Sequence, residues 1–557
     1  MIISYIYQGL SIIIRNFVNI IHQSEILIMI VFEQNIVGKH TMADCEDGIV
    51  HTSDFIAVID GSTSKTHHRI HPGVRNGRYC MNILTELISR LDADIDVDAF
   101  CQAATDAVHA CYPTPDTLQR EHPEERLCAS AVVYSDKRKE VWMIGDCQCM
   151  IDDKRYSNDK PYEEVIASRR AEVFNQTVSE HGDMLHNGYI VHDYARDTIL
   201  PDLVEAMKGE NKDYAVIDGF PIYKEGVRVI RLADLPGSVD SHEVVLASDG
   251  YPFLCSSLEK SERKLKEQLT NDPFNIGKFK ATKGLMEGNV SFDDRAYIRF
   301  STSPLQRYFL TLSFDGTAYH GWQIQPNGMS AQQRLQECLS RVLRHQVEVT
   351  GAGRTDAGVH ARVMVCHFDD VKGIDGEQLV YRLNQILPND MACSEARPVD
   401  NDLHARFSAK KRTYRYFIHT KKDPFQRYFS VETHYDLDFP LMNKAAGWLL
   451  GVTDFKAFCK AGADNKTTIC HLFAAHWVET APGNWYFEIS ADRFLRNMVR
   501  AVVGTLFDVG RHRMTLEQFQ DTVLHGSRSD SGESMPAKAL FLWEVEYEEA
   551  EVRPAQE

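Results

Sequence analysis

A chain of 557 residues exceeds what one hydrophobic core supports, so about two to four domains are expected. With 43% hydrophobic and 25% charged residues, the composition excludes wholesale disorder, and thirteen scattered cysteines without zinc-ligand spacing exclude a disulfide scaffold and fit a reducing cytoplasm. The net charge of −18 argues against a uniformly basic nucleic-acid binder, but residues 1–306 hold 32 Lys and Arg against 47 Asp and Glu, whereas residues 307–557 hold 29 against 32. The second half is near neutral, which leaves room for a local basic face.

Residues 1–31 are Ile-rich but are broken by Arg15, Asn16, Asn19, His22, Gln23 and Glu25. No run approaches the roughly 20 apolar residues that span a bilayer, and neither a basic leader nor a small-residue cleavage site frames the segment. It reads as an apolar extension outside the domains, with Met29 as an alternative start, and no membrane partner is expected.

Residues 32–303 repeat one layout, an apolar strand ending in an acidic turn. Asp54 to Ile59 runs into Asp60-Gly61, Glu140 to Ile144 into Gly145-Asp146, and Glu243 to Ala247 into Ser248-Asp249-Gly250. Asp293-Asp294 opens a strand from Ala296 to Phe300, and Glu46-Asp47-Gly48 precedes the first. Between them lie amphipathic helical stretches such as Cys80, Leu84, Leu87, Ile88 and Leu91. One Asp-Gly after a strand is ordinarily a turn. Five acidic turns converging on one rim would form an oxygen-rich pocket suited to Mg²⁺ or Mn²⁺.

The order of these turns resembles the type-2C metal-dependent protein phosphatases, the PPM family. The resemblance implies an α-β-β-α sandwich, a binuclear Mg²⁺ or Mn²⁺ centre and a phosphoprotein substrate. It implies that Asp60, the Gly61 carbonyl, Asp249 and Asp293 hold the metals, that Glu46 acts through a water, and that Asp146 serves a third position. Two departures stand out. Ser62 and Thr63 follow Asp60-Gly61 where the family commonly has His-Gly, and Met42 occupies the place of a phosphate-holding Arg four residues before Glu46. His67, His68, Arg69 and His71 are the nearby candidates to replace them.

Ser301-Thr302-Ser303-Pro304 is short, polar and ends in Pro, as a domain boundary should. Beyond it, Arg307 to Phe314 alternates as a strand, and Asp315-Gly316 turns toward Tyr319-His320-Gly321-Trp322-Gln323. Ser330 with Gln333 forms a capping-box pattern, followed by Leu335, Leu339, Val342 and Leu343 on one helical face. A strand over Val347–Val349 then leads into Gly351-Ala-Gly-Arg354-Thr355-Asp356-Ala-Gly-Val-His360-Ala361, a Gly-rich loop before the apolar run Val363 to Phe368. The mixture predicts an α+β fold with helices on one side of an antiparallel sheet.

Three further stretches carry weight. His404 to Ala409 precedes Lys410-Lys411-Arg412-Thr413-Tyr414-Arg415-Tyr416, whose interleaved cations and tyrosines suit a phosphate-and-stacking surface. Arg493, Arg496 and Arg500 fall on one face at helical spacing, with Phe494, Leu495, Met498, Val502 and Leu506 toward the core. Met535 to Leu540 closes the set, with Ala539 where a Gly is usual. Together with the Gly351–Ala361 loop these stretches resemble the TruA-type tRNA pseudouridine synthases across nearly all of residues 306–550. The resemblance implies two α+β subdomains, residues 304–412 and 413–550, with 551–557 as a tail, and a homodimer formed through this half with tRNA as partner. It implies Asp356 as nucleophile, Arg500 as its ionic partner and Tyr414 packed on the target base, with Arg354, Thr355, His360, Arg406 and Arg496 toward the RNA. Isomerising uridine at about positions 38–40 of the anticodon arm requires the base to leave its stack but no redox or energy input, so no cofactor is expected for this half. The alternatives are the same synthase with a non-catalytic metal-binding or regulatory first half, and an RNA-binding protein without chemistry. The presence of Asp356, Tyr414 and Arg500 together speaks against the last.

Overall fold

The computed structural model describes residues 29–548 except 64, 67 and 461–466. The apolar extension over residues 1–28, the tail from 551 and His67 therefore lie outside the described residues. The chain divides into two compact units, with the break between Leu305 and Gln306.

The N-terminal unit is built on two five-stranded sheets. In spatial order one is Ile30–Val37, Arg295–Ser301, Glu243–Ala247, Gln148–Ile151, Lys154–Tyr156, and the other is Val227–Arg231, Glu140–Ile144, Ala129–Ser135, Phe55–Gly61, Asp47–His51. Strands such as Phe55–Gly61 and Ala129–Ser135 are buried almost throughout, which their continuous apolar sequences dictate. Alternate side chains sort to two faces. Ile56, Val58, Val132 and Met143 meet Val244, Leu246, Ile298 and Phe300 between the sheets. Phe55, Ala57, Ile59 and Trp142 face outward and are covered by Cys80, Leu84 and Ile88 of helix Asn76–Ile88 and by Phe100, Ala104 and Val108 of helix Val97–His109. On the outer face of the first sheet Val245, Tyr251 and Tyr297 pack with Leu258, at the start of helix Leu258–Asn271.

The C-terminal unit is one nine-stranded sheet. Its main path runs Met391–Val399, Leu305–Phe314, His360–Val371, Leu540–Glu546, Lys411–His419, Asn484–Ala491, Leu472–Ala481, with Thr350–Gly351 and Val431–Glu432 attached at the side. The sheet passes continuously through residues from both sides of position 412. It is mixed and not antiparallel throughout: His360 and Ala361 pair in parallel with Phe541 and Leu542, and Ile418–His419 with Val431–Glu432. The last strand returns across the whole unit to lie between two earlier ones, and so distant a connection imposes no hairpin direction. Helices Ala331–Leu343 and Met498–Gly510 pack against this sheet through a single apolar core.

Three local expectations change. Val347 and Val349 are buried, but the strand begins at Thr350, whose ladder with His367 extends only to Gly351. Ser330 caps its helix by accepting from the Gln333 amide at 3.1 Å, yet the Gln333 side chain donates forward to Glu337, so the capping box is half formed. Helix Met498–Gly510 starts after the Arg493–Arg496 stretch, at Asn497 with φ 67°, so Arg493, Phe494, Leu495 and Arg496 are not on it. Its buried sequence explains why: from Met498 to Val509 nearly every turn faces the core, and a continuation of the charged stretch would bury arginines without partners.

Candidate active centres

In the C-terminal unit the Gly351–Ala361 loop is shaped from beneath by the segment Gly316–Trp322. Gly321 has φ +85° and lies so close to the loop that a Cβ would stand 2.3 Å from the Thr355 carbonyl oxygen. The Trp322 amide donates to that same carbonyl at 3.3 Å, and the Gly358 amide donates to the Tyr319 carbonyl at 3.2 Å. Gly351 lies directly under the Trp322 indole. From the other side Arg412, only 9% exposed, donates to the carbonyls of Ala352 and Arg406 as well as of Ala409 and Asp492.

Asp356, at the crest of this loop, is 27% exposed. Arg500 Nη1 donates to its Oδ2 at 3.4 Å. The guanidinium is aimed by its own second contact, Nε donating to the Met535 carbonyl at 2.6 Å, while the Met535 amide donates back to the Arg500 carbonyl at 3.1 Å. Residues 144 positions apart are thus joined through the closing motif. Tyr414 is 8% exposed, and the Phe494 ring stands edge-on to it at 5.0 Å and 83°. Burial pushes its phenol up to about 12, Arg412 opposing and the nearby Asp356 adding to the rise. Tyr416, on the same strand face, donates to the Pro536 carbonyl at 3.0 Å.

The other predicted contacts divide. Arg354 and Arg406 are exposed, and burial together with the charges of Arg354 and Arg493 lowers the Arg406 guanidinium, so these three cations share one neighbourhood. Arg496 is exposed, and Thr355 Oγ1 is buried without a hydrogen-bond partner among the described residues. His360 is not available to RNA. It is fully buried, its Nδ1 accepts from the Gly316 amide at 2.9 Å and its Nε2 donates to the Lys538 carbonyl at 2.9 Å. Its imidazole ties the loop's exit to the closing motif. The Lys410–Tyr416 stretch is likewise less of a phosphate surface than its composition suggests: Lys411 pairs with Glu546, Arg415 pairs with Glu488 and stacks on Trp543, and Arg412 is internal. Sequence reading gave Phe494 only a core-facing place and assigned nothing to the Met535 carbonyl. The first is one step from a named Arg, and the second is a backbone atom with no sequence signal.

The tRNA pseudouridine synthase family model matches residues 311–408 and 445–548, which include the Gly351–Ala361 loop, Arg500 and Met535 but not the Lys410–Tyr416 stretch. The tRNA pseudouridine synthase A of Bacteroides thetaiotaomicron is 50% identical over 247 residues, 44% of this chain and 92% of that protein. That of Bacteroides fragilis is 48% identical over 44% of this chain and 97% of its own length, and that of Bacillus subtilis 36% over 43% and 98%. The chain belongs to the tRNA pseudouridine synthase family. The family model's matched residues all lie after the break between the two units.

In the N-terminal unit Asp60, Gly61, Asp146, Asp249 and Asp293 line one cavity of about 540 Å³, so the strand-end carboxylates do converge. Asp47 and Asp60 are cross-strand partners at the ends of their strands. Burial and then the neighbouring Asp249 and Asp47 push the Asp60 carboxyl well up, and burial with Asp146 and Asp293 raises Asp249 to about 6. Glu46 accepts from Thr63 at 2.7 Å through one oxygen, while its Oε1, Asp47 Oδ2 and Gln148 Oε1 are buried without partners among the described residues. Mutually repelling buried carboxylates with orphaned oxygens are the donor chemistry of a hard cation. Yet among the described residues no three acidic, His or Cys side chains stand close enough to hold an ion. Lysines hold two of the carboxylates instead: Lys39 and Lys283 engage Asp293, and Lys160 engages Asp146 at 2.6 Å. Burial pushes Asp293 and Asp146 up, but these ammonium groups outweigh it and hold both below the usual carboxylate range. Asp47 and the three lysines are the site residues that motif reading passed over.

His68 pairs with Glu125 at 3.1 Å, and neither it, Arg69 nor His71 lines the cavity; Lys65 and Arg196 do. Of the candidate replacements, the described ones, His68, Arg69 and His71, therefore do not reach the cavity wall. Solved structures similar to this half include the catalytic domain of the serine/threonine protein phosphatase PstP with two manganese ions, at 13% identity and TM-score 0.26 over 48% of this chain and 96% of that one. A Staphylococcus aureus serine/threonine phosphatase matches at 12% identity and TM-score 0.26 over 48% and 94%. At such scores the reading of this half rests on its own geometry.

Proposed function

We propose that the C-terminal unit converts uridine to pseudouridine in the anticodon arm of tRNA, at about positions 38–40, on a nucleotide flipped out of its stack. The observation that carries this is the Asp356–Arg500 contact on a loop fixed by Trp322, Gly358 and Arg412. Asp356 acts as the nucleophile toward the ribose as the C–N glycosidic bond breaks. The base turns over, its C5 bonds to the ribose carbon as the Asp356 carboxylate is released from it, and the C5 proton is lost while N1 gains one. Arg500 neutralises and aims the carboxylate. Tyr414, in a mostly apolar setting beside Phe494, packs on the base and assists removal of that proton. The cluster of Arg354, Arg406 and Arg493 receives phosphates, Arg496 extends it, and the partnerless Thr355 hydroxyl meets the flipped nucleotide. No cofactor enters this scheme. In this reading the protein works in the cytoplasm as a homodimer through this unit. Among the described residues no helix is long and apolar enough to cross a membrane. Asp356→Asn abolishes pseudouridine in tRNA mapped by base-resolution chemistry while tRNA binding stays within about twofold. Turnover in that variant would remove the assignment.

For the N-terminal unit we infer a divalent-cation centre of the PPM type, in which Asp60, the Gly61 carbonyl, Asp249 and Asp293 would be ligands, Glu46 would act through water and Asp146 would serve a third position. Bound metal would supply an activated water for phosphoester hydrolysis. The residues themselves supply a buried acidic floor and, in Lys65 and Arg196, cations at the wall suited to a phosphoryl group. The lysines on Asp293 and Asp146 favour a second reading, a regulatory module that does not turn over. Mn²⁺-dependent hydrolysis of an aryl phosphate, lost in Asp60→Ala and Asp249→Ala, supports the enzyme. Its absence in the wild-type protein leaves the regulatory reading.

A further inference from the structure

Asp293 presents no free oxygen. Its Oδ1 accepts from Lys39 Nζ at 2.8 Å and its Oδ2 from Lys283 Nζ. The Lys39 ammonium also lies 3.5 Å from Asp294, 3.9 Å from Glu46 and 3.2 Å from Thr63 Oγ1, a cation among oxygens. Neither lysine is a casual surface contact. The Lys39 amide donates to Asp294 Oδ1 at 2.7 Å and its carbonyl accepts from Val290 at 2.8 Å, which fixes the backbone from which the side chain reaches inward. The Lys283 carbonyl accepts from Asn275 at 3.1 Å, and the preceding Thr282 and Ala281 carbonyls accept from Arg196 and from the fully buried Arg170, itself paired with Asp193. Meanwhile the Glu46 Oε1 and Gln148 Oε1 atoms, on side chains about 1% and 3% exposed, have no donor among the described residues. Asp60 and Asp249 line the same cavity without a lysine on them.

We propose that Lys39 and Lys283 are tethered counter-cations that hold Asp293 when no metal is present and must be displaced before a divalent ion binds, making the acidic centre a site that loads only at elevated metal concentration. This deepens the cation-centre reading above and rests on it. The physical basis is competition for one carboxylate. A buried acidic cluster must be neutralised, an ammonium on an anchored stem has high local concentration, and an incoming ion gains only the difference between itself and the lysine it displaces. The two lysines thereby keep the unit folded without metal and lower its affinity for metal.

The test is Mn²⁺ binding to the full chain, measured by titration calorimetry and by the free-Mn²⁺ electron-spin signal, in wild type, Lys283→Met and Lys283→Arg. Lys283→Met binds Mn²⁺ about tenfold or more tightly than wild type, because one competing charge is gone. Lys283→Arg, which keeps the cation, stays near wild type. If Lys283→Met fails to fold in EDTA, refolding on addition of Mn²⁺ supports the proposal and failure to refold counts against it. Equal, measurable affinity in wild type and Lys283→Met overturns the counter-cation and leaves the metal centre standing. No Mn²⁺ binding by either protein overturns both.

Discussion

Asp356 and Arg500 owe their meeting to a carbonyl. Arg500 has two donors in use, and the one on Met535 sets the angle at which the other reaches the carboxylate. Lysine carries the charge but not this fork, so charge alone does not reproduce the contact. A second residue, His367, sets a pH limit on the same unit. It is buried, and its Nδ1 accepts from the Ala405 amide at 3.0 Å, which requires that nitrogen to be unprotonated. Burial, then Arg307 and His404, depress its imidazole to about 4. The unfolded chain takes up this proton near pH 6.5 and the folded one only near 4, so its contribution is complete above about 6.5 and declines as pH falls through that window, by on the order of 1–3 kcal/mol. In His367→Asn, whose amide oxygen can accept from Ala405, denaturant unfolding loses part of its slope between pH 7.5 and 5. Identical slopes in the two proteins would refute this origin.

At the scale of elements, two other segments hold the carbonyls of the Gly351–Ala361 loop in place. The Gly316–Trp322 segment takes Thr355 from one side, and Arg412 on strand Lys411–His419 takes Ala352 from the other. Gly321 is where this support is most exposed to substitution. It combines φ +85° with a close approach to the loop's backbone, so any side chain brings both strain and a clash. Gly321→Ala is expected to cost about 1–3 kcal/mol, part of it relieved by displacing the loop. The kcat for pseudouridine formation then falls by more than about tenfold while KM changes little. A variant with wild-type kcat and a lowered melting temperature would show that the loop tolerates the shift. Much of this element-level support was legible. The tyrosines alternate as their strand requires, and the loop's glycines mark its turns. The helical placing of Arg493 and Arg496 failed because a period read from three arginines does not register where burial begins; the mostly apolar run after Asn497 does.

At the scale of the whole molecule, two units with separate cores are joined by a short Ser-Pro segment. The contacts described above for Asp356, Arg500 and Tyr414 come from residues beyond position 306. Asp249→Asn, in the acidic cavity, therefore leaves pseudouridine formation within about twofold of wild type, and calorimetry of the full chain resolves two transitions, of which only the one belonging to the N-terminal unit shifts in this variant. A matched fall in synthase activity would show that the two centres are coupled.

The sequence alone determined the strand-end carboxylates and the Gly351–Ala361 loop, which local patterns of period and turn chemistry carry, whereas Asp356, Tyr414 and Arg500 were singled out by the resemblance of their motifs to a known family. Only the tertiary structure decided that His360 and Arg412 are internal struts, that the last strand inserts parallel to one neighbour and antiparallel to the other, and that lysines occupy Asp293 and Asp146. Those outcomes depend on which distant groups arrive at a given donor or acceptor. Lys39 and Asp293 are 254 positions apart, and nothing in the neighbourhood of either residue announces the other. A buried charge is satisfied by whatever the fold brings to it, and that is a property of the assembled chain.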